Sequence, residues 1–422
     1  MKKHLLPLCL FLIPFVLVGQ SKEELEIIQY HQKIYNGLLD DHPVPNYLFP
    51  IVREDSLINT CKGSQFESLA YQSLSWYNSY IGEYHRSLEL FSNTLEPQGL
   101  QTDEFIDLSK YKAFSAKEEI VSKAKDYDFI LINESHHKPQ HRLFVHTILQ
   151  SLYENGFQVL AVEGIGIEDT IFNTTKIPTK ELGGLTMEPY FADLIRHALD
   201  IGYELLPYDY DTEFDFVKRD SLGAKRIVEY QQKHRQKVLV FCGYEHVDKT
   251  QRSLAYWVEA YSGKSALSVN QSRHSEEYEK KFESLYYQMA TELFVQDAPF
   301  VLKKKKEDFK DESADLFVFH PRAYYDNKIA SWQMNYDQQR LLVTFPQEQI
   351  PEIEELSLLQ IFRKNEYNLG IPVFQLMYDS QEETRIVISP GAYTLKIENV
   401  EREELFKVNF QYGPQSGITI TD

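Results

Sequence analysis

The chain has 422 residues, 43% hydrophobic and 25% charged. That is a globular composition, which excludes a disordered polymer, and the length calls for two or three domains rather than one core. The formal charge of −19 excludes holding a polyanion by the overall field, so no nucleic-acid partner is expected.

Residues 1–20 read as a secretory signal. Lys2, Lys3 and His4 precede an apolar run from Leu5 to Val18, and Ser21-Lys22-Glu23-Glu24 then turns polar. The run is too short and too broken by Pro7 and Pro14 to span a bilayer, so cleavage near Gln20 and export to the periplasm or cell envelope are expected. A lipoprotein reading through Cys9 leaves almost no hydrophobic region before the cysteine. No later stretch is long or apolar enough for a transmembrane span. Loss of Lys2 and Lys3 takes the charge from −19 to −21. Cys61 and Cys242 remain, and their separation matches no disulfide framework, so two buried or idle thiols are expected.

Residues 21–110 carry helical periodicity. The segment 70–95, with Gly82 between two periodic runs, is similar to one tetratricopeptide-like hairpin. A single unit cannot bury its own face, so this region is expected to cap the next domain. From 111 to 297, short apolar strands alternate with amphipathic helices. Strands are expected at 128–133, 157–162, 203–208, 237–242 and 265–269, with helices at about 139–155, 189–201, 215–234 and 250–262. The strands are continuous apolar runs, as burial on both faces requires. The segment 164–188 breaks this rhythm and is long enough for a lid or substrate-binding element. The run Lys303–Lys306 is followed by Glu307, Asp308, Asp311 and Glu312, which reads as a solvated loop. Residues 298–422 turn β-rich, with a helical pattern at 351–363, and read as a small sandwich used for packing or adhesion. The fold class is therefore α/β: a mostly parallel sheet with helices on both faces, preceded by an N-terminal helical segment and followed by a small β-rich domain.

Four of the expected strands end in ionisable residues. The first runs into Glu134, Ser135, His136 and His137, the second into Glu163, the third into Asp209, and the fourth into Gly243, Tyr244, Glu245 and His246. The C-terminal strand ends of an open parallel sheet share one edge, where ligands bind. Pro139 suits the first residue of a helix, with His141 in its first turn, so the exposed N–H groups there favour negative charge. Glu134 and His136 are two residues apart, and a carboxylate with a histidine serves either as an orienting pair for a general base or as two metal ligands. Each residue also has a bland reading. Strand-end carboxylates such as Glu163 and Asp209 often cap helices or pair with cations, and histidines such as His137 and His141 are common near helix starts. His136 and His246 stand out because each belongs to a matched local pattern.

Taken in order, these pieces resemble the superfamily of haem-binding ChaN-like proteins, erythromycin esterases and Tiki/TraB putative metalloproteases. Its marks are a Gly-Glu-x-His turn after the first strand, a Glu after the second and a Gly-x-x-His turn after a later one. Here they stand as Asn133-Glu134-Ser135-His136, Ala161-Val162-Glu163 and Gly243-Tyr244-Glu245-His246. The run His137-Lys138-Pro139-Gln140-His141 is similar to the Asp-Asn-Pro-x-His of ChaN-like members, and Arg219-Asp220-Ser221-Leu222-Gly223-Ala224 looks like the charged helix start before the last motif. The resemblance covers about 110–270. Asn133 stands where glycine is usual, and Asn tolerates a left-handed backbone, so the turn is expected to survive.

The resemblance implies an exported hydrolase, esterase- or metallopeptidase-like, acting on a small-molecule or peptide substrate. His136, helped by Glu134 and Glu163, would activate a water, and His246 would stabilise the oxyanion or protonate the leaving group. With a divalent zinc, manganese or iron ion, Glu134, His136, Glu163 and His246 would instead be its ligands. The alternative is haem or iron capture at the cell envelope, with His137, His141 and Asp209 as cofactor-binding candidates. Covalent haem attachment is excluded because the chain has no Cys-x-x-Cys-His. A non-catalytic scaffold is the third class.

Overall fold

A computed structural model describes residues 21–97, 106–166, 169–209 and 215–421. The expected signal segment lies outside the described residues. By contact the chain divides into two compact units.

One unit, spanning 95–167 and 194–323, is built on a six-stranded parallel sheet. Its strands are β1 (Phe129–Glu134), β2 (Phe157–Val162), β3 (Glu204–Pro207), β4 (Lys237–Gly243), β5 (Leu267–Asn270) and β6 (Leu316–Phe317). They lie side by side in the order β3-β2-β4-β1-β5-β6, all parallel. Helices Pro139–Glu154, Pro189–Ile201, Phe216–His234 and Leu254–Ser262 stand where the periodicity placed them, within a few residues.

Strand alternation sorts the side chains. Phe129, Leu131, Val159, Ala161, Val238, Val240 and Cys242 form one core with Ala224, Ile227, Val228, Leu254, Ala255 and Val258 of the covering helices. The intervening Ile130, Ile132, Leu160, Val162, Leu239 and Phe241 are equally buried and face the other side of the sheet. Continuous apolar strands are the consequence of this double covering.

The other unit gathers 1–94, 168–193 and 324–422. Its five-stranded antiparallel sheet comprises β7 (Ser357–Arg363), β8 (Phe374–Tyr378), β9 (Gly391–Asn399), β10 (Glu404–Gly413) and β11 (Gly417–Thr421), in the order β8-β7-β9-β10-β11. Leu358 and Phe362 of β7 join the core of the N-terminal helices, alongside Leu57, Leu74, Tyr77 and Tyr80. Leu359 and Ile361 face a second core shared with the two-stranded sheet Leu341–Thr344/Arg385–Ile388. The N-terminal helices therefore cover the C-terminal sheet of the same unit. The helical pattern at 351–363 gives way to β7 from Ser357, because the apolar residues there are buried on both faces of a sheet. The hairpin of helices Glu67–Tyr80 and Tyr84–Ser92 turns at Gly82, whose φ is +82 and whose Cβ would lie 2.8 Å from the Gln375 carbonyl oxygen.

The units differ from the contiguous blocks 111–297 and 298–422. Residues 298–323 belong with the parallel sheet, because β6 extends it and Phe300–Lys304 pairs with Lys112–Ser115. Lys303 is part of that strand and ion-pairs with Glu119 at 2.8 Å, so the basic run begins in a strand rather than a loop. The segment expected as a lid is anchored. From 168 onward it belongs to the second unit. There the Lys180 ammonium donates to the carbonyls of Leu39, Asp40 and His42, Tyr47 Oη to Met187 O at 2.8 Å, and Ile371 N to Pro178 O at 3.0 Å. Cys61 and Cys242 are free and buried. No described helix is long and apolar enough to cross a membrane.

Candidate functional site

Register brings the strand ends together. Glu134 of β1 pairs across from Gly243 of β4, and Glu163 N donates to Phe241 O at 3.1 Å on the other side of β4. The ends of β1, β2 and β4 are thus neighbours, with Gly243 in the middle.

Glu134 follows the parity of Ile130 and Ile132, the face that the Pro139–Glu154 helix occupies. There it meets Arg142, fully buried, whose Nε donates to Oε2 at 2.6 Å and Nη2 to Oε1 at 2.8 Å. Burial acts to raise the Glu134 pKa, but the Arg142 guanidinium and the His136 bond outweigh it and hold the carboxyl below its usual range. The carboxylate then accepts from His136 Nδ1 at 2.7 Å. This fixes a proton on Nδ1 and the orientation of the ring. Arg142 Nη2 also donates to His136 O at 2.9 Å, so one side chain secures both the carboxylate and the turn.

Glu163 follows Val159 and Ala161 towards the face covered by the Phe216–His234 helix. Its Oε1 accepts from Arg219 Nη2 at 2.7 Å and lies 3.4 Å from His246 Nε2, while its Oε2 accepts from Gly243 N. His246 Nδ1 donates to Asp220, 2.8 Å from Oδ1. Burial works against a charged imidazole, yet the Glu163 and Asp220 carboxylates raise His246 to about 10. The same contact, with Arg219, holds Glu163 far below its usual range against the effect of burial. Arg219 Nε reaches Asp209 at 2.9 Å, and Asp209 is pushed up to about 6 by burial and by the Glu163 charge. The result is a chain of alternating charge, Asp209–Arg219–Glu163–His246–Asp220. The side chains of His246 and Arg219 keep 18% and 15% of their surface exposed, which is where the site opens to solvent.

The linkage sign for His246 follows from its raised pKa. Its contribution to stability is fully present below 6.5 and is lost as pH rises through about 10. The contributions of Glu134 and Glu163, whose values are depressed, are present above the usual carboxylate range and are lost as pH falls below it. The stability gap between wild type and His246→Gln, read from urea unfolding, is expected to be widest at about pH 6 and to shrink towards about pH 10. A gap independent of pH would show that His246 is not held as a cation.

The structure brings Glu134, His136, Glu163, His246 and Asp209 to one edge. His137 and His141 are buried instead. His141 Nδ1 accepts from Ser135 N at 3.0 Å and its ring lies 4.7 Å from that of His320, while burial holds both His137 and His141 well below the usual range. His141 braces the turn through Ser135 N. The carboxylate set does not fit a divalent metal, because Arg142 and Arg219 already occupy oxygens of Glu134 and Glu163. Among the described residues no group of three or more His, Cys, Asp or Glu is arranged to hold a metal ion. Asn133 is not left-handed: it lies within β1, and the positive φ falls on Tyr244.

Arg142, Arg219 and Asp220 are the residues that strand-end reasoning missed. For Arg219 and Asp220 the available signal was the charged start of the Phe216–His234 helix. For Arg142 it was its place in the first turn after Pro139, one turn from the strand end.

No protein-family model matches the chain, and no curated protein matches it. Among solved structures, the type III effector HopBA1 is similar at 10% identity with a TM-score of 0.31, over 49% of this chain and 94% of that one. A likeness of that size carries no argument.

Proposed function

We propose that the protein is an exported hydrolase whose chemistry is carried by two carboxylate-held histidines, His136 on Glu134 and His246 between Glu163 and Asp220. His136, with its proton fixed on Nδ1 by Glu134, presents Nε2 as the base that takes a proton from an attacking water. His246, charged between Glu163 and Asp220, and Arg219 beside it supply positive charge for the oxyanion that forms as a carbonyl is attacked. Asp209, with its raised pKa, is placed to lend or take a proton at the mouth of the site. No step requires a metal in this scheme, and the substrate class is an ester, lactone or peptide. The observation that carries the reading is that two histidines reach one sheet edge, each oriented by carboxylates: His136 by the Glu134 that Arg142 fixes, and His246, held as a cation, by Glu163 and Asp220.

The test is an ester, lactone and peptide hydrolysis screen on the mature protein. His136→Ala and His246→Ala are each expected to lower the rate by about 100-fold or more, with circular dichroism unchanged. Equal activity in both variants would end the assignment. A parallel haem titration is expected to give no saturable Soret shift; a saturable shift lost in His136→Ala would replace hydrolysis by haem capture.

A further inference from the structure

The strand carrying the charged histidine leaves the sheet through a strained residue. Tyr244 has φ +35, a region that L side chains rarely enter, and tyrosine lacks the local relief open to Gly or Asn. Such a conformation persists only where neighbours over-determine it. Here the neighbour is Asn133, fully buried in β1 with the parity of Phe129 and Leu131. Its Nδ2 donates to the Tyr244 carbonyl and, at 2.7 Å, to Ser272 Oγ. Its Oδ1 accepts from Gln271 N at 2.7 Å, and its main-chain oxygen accepts from Gln271 Nε2 at 2.6 Å. Gln271 is fixed in turn, its Oε1 accepting from His320 Nε2 at 2.9 Å. The amide is therefore oriented by partners on the exit of β5, and its donor end is directed at the exit of β4.

Two contacts of the site depend on where that carbonyl is held. The Tyr244 ring meets His136 edge-on, with centroids 4.8 Å apart and planes at 82°. The short helical turn Tyr244–Val247 carries His246, which faces Glu163 and Asp220. We infer that Asn133 is a positioning residue: its side-chain amide pins the exit turn of β4 in a strained form that seats Tyr244 on His136 and His246 on Glu163. A glycine could not do this, having no amide to offer, and an aspartate would set a second oxygen against the Tyr244 carbonyl. The inference rests on the hydrolytic reading only for its effect on rate.

The experiment records tyrosine and histidine NMR resonances in the full mature protein, alongside hydrolysis of the substrate found in the screen. In Asn133→Asp, which keeps the acceptor for Gln271, the Tyr244 Cα shift is expected to move towards that of an ordinary tyrosine. The His136 ring protons should lose the Tyr244 ring current. The kcat should fall by about 10-fold or more with KM nearly unchanged. Ser272→Ala removes the other acceptor of Nδ2 and should leave these resonances in place. Unchanged Tyr244 and His136 shifts in Asn133→Asp would overturn the inference. If a buried aspartate prevents folding, Asn133→Ala is compared in wild-type and Tyr244→Gly backgrounds. Glycine takes positive φ without a restraint, so the His246 resonance should move far less in the second background; equal movement in both would overturn the inference. If wild type hydrolyses nothing, the hydrolytic reading fails alone, and the resonances still decide Asn133.

Discussion

Arg142→Met is expected to lower the stability of the parallel-sheet unit by about 3–5 kcal/mol, the usual consequence of removing one partner of a buried ion pair. Arg142 is 0% exposed and Glu134 is 1% exposed. Without the guanidinium, a buried carboxylate is left with only His136 to answer it. Two responses are open, and both damage the site. Glu134 can take up a proton, and His136 then loses the carboxylate that fixes its tautomer. Alternatively His136 can hold the proton itself as an imidazolium, and it is then no longer a base. The rate should therefore fall even at temperatures where the variant stays folded. The double variant Arg142→Met/Glu134→Gln removes the uncompensated charge, so it should recover much of the stability and none of the rate. Urea unfolding followed by far-UV circular dichroism separates the two effects. A single variant within about 1 kcal/mol of wild type would mean that the pair is solvated and that Glu134 is not the fixed point of the site.

That dependence marks where sequence reasoning stops. The strand ends were legible because a buried parallel strand is a continuous apolar run, so the first ionisable residue after it, Glu134 or Glu163, announces the edge of the sheet. The core was legible for the same reason: 128–133, 157–162 and 237–242 are strands within a residue or so of expectation. What no run announces is the partner across the layer. Whether Arg142 or a nearby histidine turns towards Glu134 depends on how the Pro139–Glu154 helix lies against the sheet. His141, closer to Pro139 and more suggestive by type, turned inward to Ser135 and His320 instead. Periodicity also fails where a strand is buried on both faces of an antiparallel sheet. Leu358, Leu359, Ile361 and Phe362 satisfy a helical template as well as a strand one, and only their division between two cores decides the matter. The anchoring of the segment after Glu163 was illegible for a related reason. Its length suggested a lid, but its anchors, among them the Leu39 and His42 carbonyls that receive Lys180, are remote in sequence.

Gly243→Ala should stop catalysis while leaving most of the fold intact, because the glycine is needed for space and not for backbone freedom. Its φ is −87, which any residue adopts. A Cβ there would lie 2.6 Å from His136 Cε1, 2.8 Å from His136 Nε2 and 3.2 Å from Glu163 Oε2. The first two distances are closer than real contacts allow, so something must move. β4 cannot retreat easily, since it is paired to β1 and β2 on its two sides. The imidazole cannot swing freely either, held as it is by Glu134 at Nδ1 and by the Tyr244 ring. Overpacking of this kind costs about 1–3 kcal/mol. The larger effect is on geometry, since a base displaced by roughly 1 Å loses about 100-fold in rate. The ratio of the two losses is diagnostic. A large fall in kcat with a modest shift in the urea midpoint places His136 Nε2 beside Gly243, next to Glu163, where a water must be activated. If Gly243→Ala retained full activity and stability, the imidazole would have to lie elsewhere, and the assignment of His136 as the base would fall with it.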